Sequence, residues 1–346
     1  MSNAASTHTA PALPSIPEWK AMVAKYQTPS ISRSVWQIIN SVLPYVALWV
    51  AMGWNVTHGG PYWATLLMAV LTGLFLVRIF IIFHDCGHGA FFKSKTANHV
   101  TGFFTGMLTF TPYFHWRWEH SLHHATCSDL DRRGTGDIWT MTVAEYIAAP
   151  RWKKILYRMA RNPFILFAIA PALLFLVYQR FSSRKAGRRE RLSVWWMNLA
   201  IAAMCGCLIW ALGFKGWLMI QLPVTMVAGA AGVWMFYIQH QFEDSYWEHH
   251  GEWDYTAAAL VGSSFYKLPK VLQWFTGNIG FHHIHHLSPR IPNYYLEACH
   301  RSHEVFRKVR HITILSSLRC LRLRLWDEDT HQLVGFDHLR KMQRPA

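Results

Sequence analysis

The sequence predicts an all-α integral membrane protein: four transmembrane helices, interfacial helices and a cytosolic helical cap that carries clustered histidines. Three observations point there: apolar runs of membrane length, tryptophans at the ends of those runs, and charges collected between them. Of 346 residues, 52% are hydrophobic and only 15% charged, against roughly 25% charged in an ordinary soluble domain.

Crossing about 30 Å of hydrocarbon takes roughly 20 helical residues. Segments 35–54, 61–83, 194–214 and 217–239 meet that length. Trp36, Trp49, Trp54, Trp63, Trp195, Trp196, Trp217 and Trp234 stand near their ends, as interfacial aromatics do. Arg78 lies inside the second run. An unpaired arginine at the bilayer centre costs several kcal/mol, so Arg78 is placed near the cytosolic surface, with its helix continuing beyond the lipid.

Stretches 100–114 and 163–178 are shorter and broken by Gly102, Gly106 and Pro112 in one, and by Pro163 and Pro171 in the other. Their length suits interfacial or re-entrant elements. The basic run 180–191 belongs on the cytosolic side. With the N-terminus inside, two spans return the chain to the cytosol by residue 84. The weak stretches therefore cross together or not at all, and the sequence favours not at all. The last two spans form a hairpin through Gly213 and Gly216. Residues 84–193 and 240–346 are then cytosolic. Residues 1–34 read as an N-terminal cytosolic polar segment with Pro11, Pro14, Pro17 and Pro29, its first ten residues disordered and its opening Ser-Asn-Ala a cloning remnant. Residues 35–346 read as one domain.

Lys and Arg outnumber Asp and Glu by 34 to 19, a formal charge of +15. In a membrane protein this excess reads first as topology, then as attraction to anionic lipid or an acidic soluble partner. No soluble basic face argues for nucleic acid. The six cysteines form no disulfide framework; Cys205 and Cys207 sit inside an apolar run.

Three histidine clusters stand out. His84 and His88 form H-x-x-x-H, His120, His123 and His124 form H-x-x-H-H, and His282, His285 and His286 form H-x-x-H-H again. Residues three and four apart share a helix face, so each cluster aims its imidazoles one way, and neutral imidazole is a common transition-metal ligand. With 21 histidines in 346 positions, chance supplies fewer than about 0.1 H-x-x-H-H matches. Eight imidazoles exceed the needs of one ion and suit two. All three clusters fall on the cytosolic face by the parity argument. His240 ends the fourth span beside them; from the residues alone, an interfacial role and a ligand role stand level. Asp85, Glu119, Asp129, Asp131, Asp137, Glu243 and Asp244 are the carboxylates available to orient rings through their second nitrogens. The remaining histidines, His115, His249, His250 and His300 among them, read as surface or supporting groups. Trp116 and Trp118 read as interface anchors.

These motifs resemble the membrane fatty acid desaturases. HDCGHGAFF at 84–92, WRWEHSLHHATCSDLDRRGTGDIW at 116–139, YIQHQFEDSYW at 237–247 and GSSFYKLPKVLQWFTGNIGFHHIHHLSPRIPNYY at 262–295 carry the likeness. It spans about residues 35–310 and is similar to the bacterial acyl-lipid branch acting at the Δ5 or Δ12 position. The resemblance implies two iron ions held by His84, His88, His120, His123, His124, His282, His285 and His286, with His240 as the ninth ligand. It leaves His283 unassigned. It further implies O₂ as co-substrate, a membrane-lipid acyl chain held in a narrow apolar channel, a bacterial inner-membrane location with the site on the cytosolic side, and a separate electron donor, in bacteria ferredoxin. No fused haem domain is expected, since His58-Gly59-Gly60 lacks the rest of that pattern. Acyl-CoA relatives place a water-holding Asn four residues before the ninth histidine, where this chain has Phe236. Imidazole sites accept zinc readily, so purified protein is expected to take zinc as well. Two competing readings remain: a related di-iron hydroxylase or ketolase acting on a hydrocarbon or carotenoid, and a membrane metal transporter. The transporter would need polar ligands buried within the spans, whereas these histidines sit at and beyond their ends.

Overall fold

The computed structural model describes residues 13–342; the disorder expected for residues 1–10 lies outside them. The chain is mostly helical. In order come α1 (Ile16–Val23), α2 (Ile31–Thr57), α3 (Tyr62–Gly87), α4 (Lys95–Leu108), α5 (Tyr113–Thr126), α6 (Val143–Ala148), α7 (Arg151–Ala160), α8 (Ala170–Leu176), α9 (Arg188–His240), α10 (Tyr255–Leu260), α11 (Lys270–Phe275), α12 (His282–Leu287) and α13 (Asn293–Ser302). The all-α expectation needs one correction, because two small sheets fasten the polar end. Strand β1 (Met141–Thr142) pairs parallel with β4 (Leu325–Asp327), which pairs antiparallel with β5 (Gln332–Val334); β2 (Phe265–Lys267) pairs parallel with β3 (His311–Thr313). Their short strands lie between helices, where alternation over two or three residues gives no readable period.

α2, α3 and α9 are long and apolar enough to cross a membrane. A fourth candidate combines α7 with Ile165–Arg180, bent by 61°. α9 has 53 residues, or about 80 Å if straight, and Gly213 breaks it with φ 70°, ψ 157°. Its two arms fold back on each other. Near one end, Ser193 Oγ accepts from Phe114 N at 2.9 Å, while Met219 O accepts from Tyr62 OH at 3.1 Å beside the α2–α3 turn. The second arm then returns along α3, where Gly73 lets Val227 come within 2.7 Å of where a Cβ would stand. The hairpin expected through Gly213 is there, and His240 comes back to the histidine end.

Both weak stretches leave and return on that same end. α4 runs to a turn at Phe110 (φ 56°), after which Tyr113 OH donates to Cys86 O at 2.6 Å. Pro171 packs against Gly229, yet by Tyr178 the chain is back, donating to Glu119 Oε1 at 3.3 Å. Arg78 is covered by protein. It is buried, donates through Nε to Ser41 Oγ at 3.1 Å and to Trp274 O, and lies 3.8 Å over the Trp274 ring.

The N-terminal stretch is tied to the main body. Trp19 and Val23 of α1 are buried in the largest apolar cluster, with Ile284, Leu287 and Leu296, and Gln27 donates to Ser288 Oγ at 2.9 Å.

Candidate metal centre

Four elements deliver the histidines. α3 carries His84 in its last turn, with His88 just past its end; α5 presents His120, His123 and His124; α9 ends at His240; and α12 carries His282, His285 and His286. In sequence these elements are up to two hundred residues apart, and in space their rings touch. Nitrogens of His84, His88, His120, His124 and His285 all lie within 4.8 Å of one another. The Nε2 contacts are His84–His285 at 3.1 Å, His285–His124 at 3.0 Å and His124–His120 at 3.2 Å. A second group gathers His123, Cys127, His240 and His286. His282 joins it with its Nε2 2.9 Å from that of His240 and its ring 4.5 Å from that of His286. The groups abut, since the His124 and His286 rings stack at 4.2 Å.

These spacings fit metal ions. Ring nitrogens bound at about 2.1 Å and at right angles stand about 3 Å apart. Buried Nε2 atoms of His88, His123 and His286 have no protein partner, and an orphaned buried nitrogen is costly unless something coordinates it. Burial also holds His120, His124, His282, His285 and His286 below the ordinary imidazole range, which keeps the rings neutral and able to donate a lone pair. No Glu or Asp belongs to either group.

Two carboxylates hold rings from behind, as ligating histidines usually require. His123 Nδ1 donates to Asp137 Oδ1 at 2.6 Å, leaving Nε2 to face inward. His84 Nδ1 donates to Asp85 Oδ1 at 3.1 Å, and Asp85 Oδ2 accepts from Asn293 N at 2.7 Å and Asn293 Nδ2 at 2.8 Å. The other five candidates are engaged elsewhere: Glu119 with His115 and Tyr178, Asp129 with Arg132 and His250, Asp131 with His249, Glu243 and Asp244 with Arg310.

The family model described as fatty acid desaturase matches residues 61–314, most of the chain. The chain belongs to the fatty acid desaturase family. It is 49% identical to a fatty acid desaturase of Bacillus subtilis (strain 168) over 314 residues, covering 91% of this chain and 89% of that protein. It is 27% identical to an sn-1 oleoyl-lipid 12-desaturase of Picosynechococcus, covering 70% of each. It is also 27% identical to an sn-1 acyl-lipid omega-3 desaturase (ferredoxin) of Synechocystis, covering 66% of this chain and 64% of that one.

Two residues of this desaturase, Trp116 and Cys127, escape a reading of its sequence. Trp116, expected as an interface anchor, instead stacks on His120 with centroids 4.3 Å apart and lies 5.7 Å from His84. Its place four residues before His120, on the same face of α5, was the available signal. Cys127 stands three residues after His124, and its Sγ lies 3.4 Å from His240 Nδ1. The two nitrogens of an imidazole point apart, and His240 turns Nε2 to His282. The thiol therefore supports the ring from behind, beside Gly262 O. Phe236 presses its ring to 5.1 Å from His123 and 5.2 Å from His240, an apolar wall on the second group. His283 turns away from both groups and pairs through Nε2 with His300 Nδ1 at 3.1 Å.

Proposed function

We propose that His84, His88, His120, His123, His124, His240, His282, His285 and His286 hold two iron ions, and that this desaturase acts on acyl chains of membrane lipid from the cytosolic side. The observation carrying the reading is the convergence of all nine imidazoles, with nitrogens at ligand spacing and no carboxylate among them. Bound iron would supply the O₂-dependent oxidising power that removes two hydrogens from adjacent methylenes.

The chain's own residues do the rest. Asp137 and Asp85 fix the tautomers of His123 and His84, so that their Nε2 lone pairs point inward. Phe236 and Trp116 line the cluster with apolar surface, which excludes water and favours a hydrocarbon chain. In a topology of four spans, α2, α3 and the two arms of α9 cross, while α4–α5 and Ile165–Arg180 dip in and return. The polar remainder forms the cytosolic cap. Reducing equivalents come from an acidic soluble donor of the ferredoxin class, which the basic cytosolic surface suits.

Gas chromatography of membrane fatty acids tests the reading, with cells expressing wild type or His123→Ala. A new unsaturated chain from wild type alone supports it. Hydroxylated or keto products would move the assignment to the related di-iron hydroxylases, and the same product from both would remove the cluster from the chemistry.

A further inference from the structure

α7 is amphipathic the wrong way round for a soluble protein. Trp152 and Ile155 are 66% and 60% exposed, Leu156 and Met159 stand beside them on the open face, and Tyr157 on the opposite face is fully buried. That buried face is fixed to the small sheet: Tyr157 OH donates to Arg324 O and accepts from Met141 N at 3.1 Å. Immediately afterwards the chain passes Pro163 and dips into the apolar Ile165–Arg180. A helix of this kind, bearing Arg151, Lys153, Lys154 and Arg158, lies in the head-group plane of a bilayer with its apolar stripe against the acyl chains.

At the start of α7 a cleft of about 490 Å³ opens between Arg133, Trp139, Thr140, Glu145, Pro150 and Lys153. Arg133 is paired with Glu145. Lys154 donates to Ile147 O at 2.8 Å and Arg158 to Tyr146 OH at 2.6 Å. The Lys153 side chain makes no hydrogen bond or ion pair among the described residues, so its ammonium is the uncommitted cation of this rim. The cleft is next to the metal cluster along the chain: Trp139 follows Asp137, which holds His123, by two residues, and Thr140 Oγ1 accepts from Gln241, the neighbour of His240, at 3.2 Å.

We propose that this cleft seats the phosphate head group of the lipid substrate, with Lys153 as its counter-charge and α7 setting its depth in the leaflet. A phosphate there is desolvated on one side by Trp139 and meets a lysine at the anionic surface. The substrate is then a glycerophospholipid rather than a soluble acyl thioester. This rests on the desaturase reading above, which already takes a membrane-lipid substrate, and adds the seat of its head group.

Calorimetric titration of the full-length protein with short-chain phosphatidylglycerol, below its micelle concentration, tests the proposal without turnover. Lys153→Gln should weaken binding about fivefold, the roughly 1 kcal/mol that one lysine contributes near an anionic surface. Lys153→Arg should restore it, and diacylglycerol with the same chains should bind wild type and Lys153→Gln equally. Unchanged phosphatidylglycerol binding in Lys153→Gln overturns the proposal. So does an equal loss for diacylglycerol, or free coenzyme A competing on wild type alone, which would assign the cleft to a thioester carrier. Gas chromatography of cells expressing each variant keeps the two readings apart: no new unsaturated chain from wild type sinks the desaturase reading, whatever the titration gives.

Discussion

Replacing Asp137 by Asn keeps the side chain's shape and removes half of what it does. Oδ1 accepts from His123 Nδ1 at 2.6 Å and Oδ2 from Gly134 N at 3.1 Å, so both oxygens are occupied by donors. Asn offers one acceptor. In one orientation its amide nitrogen faces His123 Nδ1–H, and the ring loses its hydrogen bond or its fixed tautomer; in the other it faces Gly134 N–H, and the loop that holds the side chain against His123 is released. Loss of such a partner costs 10–100-fold in metal affinity or activity, or about 1.4–2.7 kcal/mol. The expected outcome is lower metal occupancy per chain, read by mass spectrometry of purified protein after graded chelation, with a parallel fall in unsaturated product. Asp131→Asn is the matched control, because Asp131 is exposed and pairs with His249 rather than with a ligand. Full metal retention by Asp137→Asn under chelation that strips His123→Ala would refute the argument that this carboxylate orients a ligand.

His283→Gln should retain both metal ions while His282→Gln loses one, because His283 faces His300 and not the cluster; metal analysis separates the two. Gly73→Leu should lower the thermal unfolding midpoint in detergent, overpacking against Val227 by about 1–3 kcal/mol, whereas Gly232→Ala, with open space around it, should not. Acid should release metal and destabilise the fold together. Burial depresses the folded-state proton affinity of His120, His124, His282, His285 and His286 below the ordinary 6.5. The unfolded chain therefore binds protons first, and stability present above about pH 6.5 declines as pH falls below it. A thermal midpoint that rises on going from pH 7 to pH 5.5 would contradict this.

The long apolar helices were legible because a bilayer imposes length and apolarity on any helix that crosses it, and the turn at Gly213 was marked by the two glycines between adjacent apolar runs. The histidine clusters were legible for a related reason. Three or four residues of spacing on a helix is a geometric statement, and His84/His88 or His120/His123/His124 keep it whatever the rest of the chain does. What could not be read were pairings across distance. Nothing local distinguishes Asp137, fourteen residues from His123, from Asp129 or Glu119, and the structure engages the latter two elsewhere. Trp116 looked like any interfacial tryptophan until α5 was placed against α3. The small sheets were hidden because each strand is three residues or fewer, and β1 and β2 find their partners far along the chain.

Asp85 holds His84 with one oxygen and Asn293 with the other, so a single carboxylate clasps an early helix to a segment made two hundred residues later. Each nitrogen group likewise draws rings from both sides of the α9 hairpin. During synthesis the first helices can enter the membrane with their histidines in place, but neither cage closes until α12 has left the ribosome. Metal loading is thereby made a late event, and a chain truncated before residue 282 would be inserted yet empty.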